Sequence, residues 1–442
     1  MKTKVLFFAR SFLAKYYSDI QSDIIEPIFV TMTKEEKEFL QNKNWKVYGC
    51  FEEEYASLPV FDYSPNYLKT SFNSDRFLCR FDLEKRKEIL GKEISFWKKV
   101  FDDTSPAFLV NETVAIEMAE VMAIEAERRG IPFYTSLLGF LPNTFYWKPD
   151  PFSGRLDDLS KENISDDNIK LAEQYLANVR EKQIRPFYVS AIKKHRISPK
   201  TVIHSMLSHL RERRKIRRKE RNQAFCYEDY SIFTAAGVRR NWDALFHSYD
   251  SINTIDDKHF VFFPMHLEPE ATLNYFVDEN YEQTSIIKLL ACSIKQNQIL
   301  VVKEHPQQQG ALLSKTYCDL KKKYSNVVFL PSYISSFDLL KQCDAVVTLT
   351  STAAWEGAIL GKPVFVLGKI FYDQCPGVNR IESLKQLKQE LRKKSYIHPE
   401  SEGVRCFAAQ MISRFHTGCP TPSFKENTIQ SYVKAIEELV VK

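Results

Sequence analysis

The segment from Val301 to Gly368 constrains the fold of this chain more strongly than any other. It contains the runs VVKEHP, VVFLPSYISSFDLL and DAVVTLTSTAAWEGAILGKPVFVLG. Short apolar runs that alternate with helical patterns predict the buried strands and covering helices of a parallel sheet. The third strand breaks at a Thr-Ser-Thr turn into a helix start, where unpaired backbone N–H groups favour an anion. A phosphate of a nucleotide-activated substrate is therefore the first hypothesis for a ligand.

The length of the chain predicts more than one hydrophobic core. With 442 residues, two lobes, or two lobes with a helical insert, are expected. We predict an N-terminal Rossmann-like lobe at 1–145, a mostly helical connector at 146–255, a C-terminal lobe at 256–390 and a C-terminal helical segment at 391–442. The predicted fold class is α/β with two Rossmann-like lobes, because strand and helix patterns alternate from KVLFFA to IPFYTSL and again from HFVFFP onward.

Apolar runs and cysteines indicate the compartment. No run of 18 apolar residues is present, so no membrane span is expected. The apolar N-terminus is interrupted by Arg10 and indicates a first strand, not a signal peptide. Nine scattered cysteines without a C-x-x-C pair indicate a reduced compartment and no structural zinc site. We expect a cytoplasmic protein; peripheral attachment at the inner face of the plasma membrane stays open.

A basic segment lies between Arg211 and Arg221. The sequence RERRKIRRKER holds eight basic and two acidic residues, against a net charge of only +6 for the whole chain. Two interpretations stay open: a solvated helix face, or a contact with anionic lipid or a polyanionic glycan. Nucleic acid is not expected as a partner, because no recognition motif or pattern of stacking aromatics accompanies the run.

The strand ends supply candidate ligand-binding residues. Pro306 keeps His305 extended at a strand tip, and Lys303 lies on the same face of that strand. A structural histidine bonded to a backbone carbonyl is the alternative. Ser351 and Thr352 sit at the next break, where helix capping needs only one hydroxyl and leaves the other for a phosphate.

Two further carboxylates and a histidine belong to the predicted site. Glu356, one turn into the following helix, can accept hydrogen bonds from ribose hydroxyls, or it is an ordinary surface glutamate. His266 and Glu270 follow another strand end in PMHLEPEAT, a composition typical of a site loop. We assign nucleotide binding to His266, Lys303, His305, Ser351, Thr352 and Glu356.

The N-terminal lobe offers one candidate for catalysis. Glu112 follows the strand AFLV at a predicted helix start, where it can act as a general base or nucleophile. A helix-dipole carboxylate without chemistry is the alternative. Glu270 is the second candidate. The patterns G-x-G-x-x-G and G-x-x-x-x-G-K-[ST] are absent, which argues against a dinucleotide oxidoreductase and a P-loop NTPase.

The chain resembles the capsule-polysaccharide synthesis family, GT-B glycosyltransferases that include bacterial β-Kdo transferases. FFPMHLEPEAT, VVKEHP and DAVVTLTSTAAWEGAILGKPVFVLGKIFY carry the resemblance, from about Phe260 to Tyr372. It implies a donor nucleotide on the C-terminal lobe, near His305, Ser351 and Thr352, and an acceptor on the N-terminal lobe. Family members that act on Kdo use a CMP-linked donor without a metal. No D-x-D motif is placed for a metal here, so neither a metal nor another cofactor is expected.

These observations predict a glycosyltransferase that uses a nucleotide sugar. The best candidate reaction moves Kdo from CMP to a bacterial capsule or surface polysaccharide, or to its lipid-linked precursor. Two alternatives stay open. One is a polyol-phosphate transferase of the teichoic-acid type, and the other is a non-catalytic GT-B-like subunit of a polysaccharide synthesis complex.

Overall fold

The computed structural model describes residues 2–69, 77–156, 159, 164–182, 197–227, 230–268, 271–277, 282–418 and 429–441. The strands are β1 (Thr3–Phe8), β2 (Ile25–Thr31), β3 (Val47–Cys50), β4 (Phe108–Asn111), β5 (Phe133–Leu138), β6 (Thr144–Lys148), β7 (His259–Pro264), β8 (Gln298–Lys303), β9 (Val327–Leu330), β10 (Ala345–Thr348), β11 (Val364–Val366), β12 (Val378–Arg380) and β13 (His416–Thr417). The helices are α1 (Phe12–Tyr17), α2 (Lys34–Asn42), α3 (Phe51–Glu54), α4 (Leu83–Thr104), α5 (Glu117–Arg128), α6 (Asp166–Lys182), α7 (Pro199–Asn222), α8 (Tyr230–Asp243), α9 (Ala271–Tyr275), α10 (Gln283–Ser293), α11 (Lys315–Lys323), α12 (Ser336–Gln342), α13 (Ala353–Ile359), α14 (Leu384–Leu391), α15 (Ser401–Ser413) and α16 (Ile429–Val441).

The contacts divide the chain into two compact units. Unit 1 comprises Met1–Asp157, Arg214–Asp229 and Arg414–Lys442, and unit 2 comprises Asp158–Arg213 and Tyr230–Ser413. The sequence predicts a separate connector and a separate C-terminal segment, and the structure distributes their helices differently. Helix α15 packs on α6 within unit 2. Helix α16 joins the hydrophobic core of unit 1, because its apolar face, with Tyr432 and Ile436, is buried there.

Unit 1 is built on a mainly parallel sheet. Within the described residues its strand order is β13-β6-β5-β4-β1-β2-β3. Strands β1 to β5 run parallel, β6 is antiparallel to β5, and β13 pairs antiparallel with β6. The order of the parallel strands reverses between β1 and β4. In doubly wound sheets, the carboxyl end of the sheet at such a reversal is where ligands bind.

Unit 2 is built on a second parallel sheet. Its described strands follow the order β12-β11-β10-β7-β8-β9, and all five pairs are parallel. This is the strand order of a nucleotide-binding doubly wound fold, and it reverses between β7 and β10. The two sheets confirm the predicted α/β class with two Rossmann-like units.

The segment after β4 corrects one prediction. Glu112 does not begin a helix, because α5 starts only at Glu117, after an extended Ile116 (φ −149°, ψ 160°). Val114 and Ile116 are both fully buried, which fits an extended segment whose alternate side chains share a face. The helix ends at Arg128, and Gly130 follows with φ +66°, a value that glycine adopts readily.

Two findings concern membrane spans and disulfides among the described residues. No described helix is both long and apolar enough to cross a bilayer. The eight described cysteines are all free.

Candidate functional site

A pocket of about 140 Å³ lies at the carboxyl end of the sheet of unit 2, where the strand order reverses. Its wall is formed by Pro264, Met265, Lys303, Glu304, His305, Pro306, Ser336, Phe337, Ser351, Thr352, Ala353 and Glu356. Five of the six residues predicted to bind a nucleotide therefore come together here.

His305 presents a hydrogen-bond donor to this pocket. Its Nδ1 accepts the backbone N–H of Gln307 at 3.2 Å and caps the short turn that begins at Pro306. Burial, with a smaller contribution from the charge of Lys303, lowers the pKa of His305 to about 4, so the ring is neutral at pH 7. A neutral imidazole that accepts at Nδ1 carries its proton at Nε2. The capping role thus accounts for one ring nitrogen and leaves the Nε2 proton for a ligand oxygen.

The two residues before His305 have different surroundings. Lys303 ends β8, is only 5% exposed and borders the pocket, and its positive charge contributes to the lowered pKa of His305. Glu304 also borders the pocket, but its carboxylate accepts the hydroxyl of Tyr249 at 2.7 Å and the N–H of Leu312 at 3.1 Å. Burial raises the pKa of Glu304. Glu304 therefore holds the loop that follows β8.

The turn between β10 and α13 forms the opposite wall. The hydroxyl of Ser351 accepts the N–H of Ala353 at 3.3 Å, and Thr352 makes no capping bond with its side chain. The N–H of Ser351 donates to Thr348 Oγ1 at 3.0 Å, and its carbonyl accepts the Tyr372 hydroxyl at 2.6 Å. The Ser351 hydroxyl thus accepts the capping bond and still has its own O–H to donate to a ligand, and the hydroxyl of Thr352 is left for a ligand as well.

His266 lies behind this wall and does not line the pocket. It is 4% exposed, and its Nε2 accepts the N–H of Thr350 at 2.9 Å. The backbone N–H of His266 donates to Gln283 Oε1 at 2.7 Å, and its backbone carbonyl accepts from Gln283 Nε2 at 3.2 Å. Burial and the charge of nearby His305 lower the pKa of His266 to about 3. A neutral His266 therefore holds the β10–α13 turn in place. Glu270 lies outside the described residues.

In unit 1, the predicted catalytic carboxylate lies at the reversal of its sheet. Glu112 directly follows β4, and its Oε1 accepts the Arg10 guanidinium, two residues after β1, at 2.7 Å. The two side chains are 28% and 13% exposed. Ser11 has φ +54°, outside the usual range of a non-glycine residue, and its N–H donates to Glu36 at 2.5 Å. An ion-paired, partly exposed carboxylate at a ligand-binding edge can accept a proton from a hydroxyl.

Residues 174–404, just over half of the chain, match a protein family described as capsule polysaccharide biosynthesis protein. The chain belongs to this family. The matched residues take in all the described residues that line the unit 2 pocket. Among curated proteins, no sequence matches the chain.

Two transferases and an epimerase are among the solved structures that the chain matches. One is the β-Kdo 2,7 transferase of KpsC from Thermosulfurimonas dismutans, with 15% identity, a TM-score of 0.41 and coverage of 82% of this chain and 97% of that one. The β-Kdo 2,4 transferase of the same protein has 14% identity, a TM-score of 0.41 and coverage of 75% and 87%. UDP-GlcNAc 2-epimerase from Neisseria meningitidis, bound to UDP-GlcNAc, has 14% identity, a TM-score of 0.28 and coverage of 100% of both chains.

Three residues of this capsule-family chain support the site and were not predicted from its sequence. Gln283 and Tyr372 hold His266 and Ser351, and no local pattern indicates either contact. Gly368 follows β11 and leaves room for the β10–α13 turn. A Cβ at Gly368 would overlap the Thr350 methyl group and lie 2.8 Å from the Leu349 carbonyl oxygen. The glycine that ends VFVLG was the only available signal, since glycine often marks a close backbone approach.

Proposed function

We propose that this protein is a glycosyltransferase of capsule biosynthesis that uses a nucleotide-activated sugar. The observation that carries the proposal is the gathering of Lys303, His305 and the Ser351–Thr352 turn in one pocket, where the order of the parallel sheet reverses. An ammonium group, an imidazole N–H and a hydroxyl are donors suited to phosphate oxygens. Glu356, which borders the same pocket, is the proposed acceptor for ribose hydroxyls.

The proposed donor is a CMP-linked, Kdo-like sugar, with no metal and no further cofactor. The motifs shared with the family that includes β-Kdo transferases support this choice. The proposed acceptor is a capsule or surface polysaccharide, or its lipid-linked precursor, and unit 1 is the unit to which we assign it. Through Arg211–Arg221 we propose contact with an anionic membrane surface on the cytoplasmic side.

Glu112 is the proposed base. It would take the proton of the acceptor hydroxyl while the hydroxyl oxygen bonds to the anomeric carbon and the bond from that carbon to the phosphate oxygen breaks, which releases CMP. The pairing with Arg10 fixes the carboxylate and supports the assignment. Glu270 stays the alternative carboxylate.

The test combines binding with product analysis. We expect CMP to raise the melting temperature of the protein more than UDP, GDP or CDP, because a ligand stabilises the state that it binds. With CMP-Kdo and a capsule acceptor, mass spectrometry should find CMP and an acceptor heavier by one sugar, and EDTA should not change the rate. An acceptor that gains a polyol phosphate from a CDP-linked donor would identify the teichoic-type enzyme. Tight nucleotide binding without transfer of any donor would identify a non-catalytic subunit.

A further inference from the structure

Helix α7 carries an exposed apolar stripe in its first half. Ile203, Met206, Leu207 and Leu210 are 57%, 46%, 48% and 48% exposed. Their spacing of three and four residues places all four on one face of the helix. Large apolar side chains exposed in such a contiguous row usually mark a site of interaction.

A neighbouring face of α7 attaches the helix to the protein. Val202 and Ile216, fourteen residues apart, are 3% and 5% exposed. His209, between them on that face, bonds through Nδ1 to the Thr234 hydroxyl of α8 at 2.8 Å. At 3.6 residues per turn the apolar stripe is centred about 110° around the helix from these contacts, beside the attached face, and its four side chains stay exposed.

The same exposed stripe continues into the basic half of the helix. Arg214, Arg217 and Arg221 follow Leu210 at spacings of four, three and four residues, so they extend the row. The exposed basic residues of this half are Arg211, Arg213, Arg214, Lys215, Arg217, Arg218 and Arg221. One face of a single helix is thus apolar at its start and cationic at its end.

We propose that α7 is an interfacial anchor for an anionic lipid bilayer. Ile203, Met206, Leu207 and Leu210 would enter the boundary between headgroups and acyl chains, and the arginines would contact lipid phosphates. A lipid surface offers an apolar phase and anionic groups within the length of this 24-residue helix, about 36 Å. The proposal extends the contact at Arg211–Arg221 to a hydrophobic insertion and does not depend on the identity of the donor.

Charge complementarity favours lipid over a second copy of the chain. Two α7 stripes packed antiparallel would place Ile203–Leu210 of one against Arg214–Arg221 of the other. Packed parallel, they would bring the two arginine rows together, which is unfavourable for like charges. A solvated face accounts for the arginines but not for the four exposed apolar side chains beside them.

The test is co-sedimentation of the full chain with vesicles of phosphatidylcholine alone or of an equal mixture with phosphatidylglycerol. We expect binding to the mixed vesicles, and a loss of at least about tenfold in the partition coefficient when all four apolar residues of the stripe become serine. The control carries as many serine substitutions at exposed apolar sites elsewhere: Ile24→Ser, Leu171→Ser, Ile397→Ser and Val441→Ser. It should bind like the wild type.

A second variant keeps the proposal testable if the first does not fold. Arg214→Glu, Arg217→Glu, Arg218→Glu and Arg221→Glu together should abolish the preference for the anionic vesicles. No binding by the wild type, or equal binding by either folded variant, would overturn the anchor. A dimer in light scattering that the serine variant dissociates would overturn it in favour of a second copy. CMP binding should be the same in all these variants, so the anchor and the proposed reaction can fail separately.

Discussion

Two histidines of unit 2 follow neighbouring strands and serve different purposes. His305 caps a turn with Nδ1 and keeps a proton at Nε2 beside the pocket. His266 is buried behind the pocket and accepts the N–H of Thr350, at the turn that carries Ser351 and Thr352. We therefore expect substitution of His305 to affect ligand affinity, and substitution of His266 to affect the stability of the turn.

The buried His266 predicts a pH-dependent stability. Its folded pKa of about 3 lies below the ordinary value of 6.5, so the unfolded chain takes up a proton on this residue between pH 6.5 and 3 and the folded protein does not. The contribution of neutral His266 to the free energy of unfolding is thus at its full value above pH 6.5 and is lost as the pH falls toward 3. Between pH 6.5 and 5 the loss is about 2 kcal/mol.

Denaturant titrations at pH 7 and pH 5 measure this effect. His266→Ala should be less stable at pH 7 by roughly 1–3 kcal/mol, because the Thr350 N–H loses its acceptor, and should lose about 2 kcal/mol less on acidification. Buried Glu268 and Glu304, whose raised pKa values act in the opposite direction, are common to both proteins. The exposed His259 serves as the control. Equal acid sensitivity of wild type and His266→Ala would contradict this role.

Substitution of Glu112 should lower the catalytic rate without lowering the affinity for the nucleotide. As a base it acts only in the chemical step, so Glu112→Gln should lower kcat by about 100-fold with nucleotide affinity nearly unchanged. A partly exposed ion pair contributes about 1 kcal/mol or less, so the variant should fold. Glu53→Gln, which removes an exposed carboxylate paired with Lys37, is the matched control. Near-normal turnover of Glu112→Gln would leave Glu112 as a partner of Arg10 and direct attention to Glu270.

Local chemistry explains which site residues the sequence could reveal. His305 and the Ser351–Thr352 turn were found because a proline and a strand break mark them. The pairing of Arg10 with Glu112 joins residues 102 positions apart, and it depends on β1 and β4 lying side by side. No local sequence pattern indicates that β1 and β4 are neighbours in the sheet.

At the scale of elements, the pocket depends on close packing between the end of β11 and the turn after β10. Gly368→Ala should push on Thr350 and on the Leu349 carbonyl, with a cost of roughly 1–3 kcal/mol in stability and weaker nucleotide binding. Gly237→Ala, on α8 with one side-chain atom of the described residues, Arg240 Nη2, within 4 Å of the added Cβ, should be neutral or slightly stabilising. Thermal melts and nucleotide titrations of both variants measure the difference. A Gly368→Ala protein that melts and binds like the wild type would show that the turn has room to move.

Strands of unit 2 were easier to predict than those of unit 1. The runs HFVFFP and ILVVKEHP became β7 and β8, and such uninterrupted apolar runs are typical of parallel strands covered on both faces. The sequence does not indicate β2, because Glu26 and Pro27 interrupt its apolar pattern. In the structure Pro27 lies within that strand, opposite Val5 of β1, where the neighbouring strands impose an extended backbone.

At the scale of the whole molecule, segments that are far apart along the chain belong to the same compact unit. Helix α16 lies at the end of the chain and completes the core of the first unit, where Tyr432 packs on Tyr16 with ring centroids 5.6 Å apart. The amphipathic pattern predicts the helix itself. Its partner could not be predicted, because many apolar surfaces along the chain have the same periodicity.

The central claim is that the pocket of unit 2 binds the phosphates of a nucleotide, and calorimetric titration with CMP tests it most directly. His305→Ala and Ser351→Ala should each weaken binding by roughly 1–3 kcal/mol, about 5- to 150-fold in Kd, since each removes a hydrogen bond to a charged group. His259→Ala is the matched control, because His259 lies at the opposite end of the same sheet with a side chain 67% exposed, and it should bind like the wild type. Unchanged affinity in both folded pocket variants would contradict the claim.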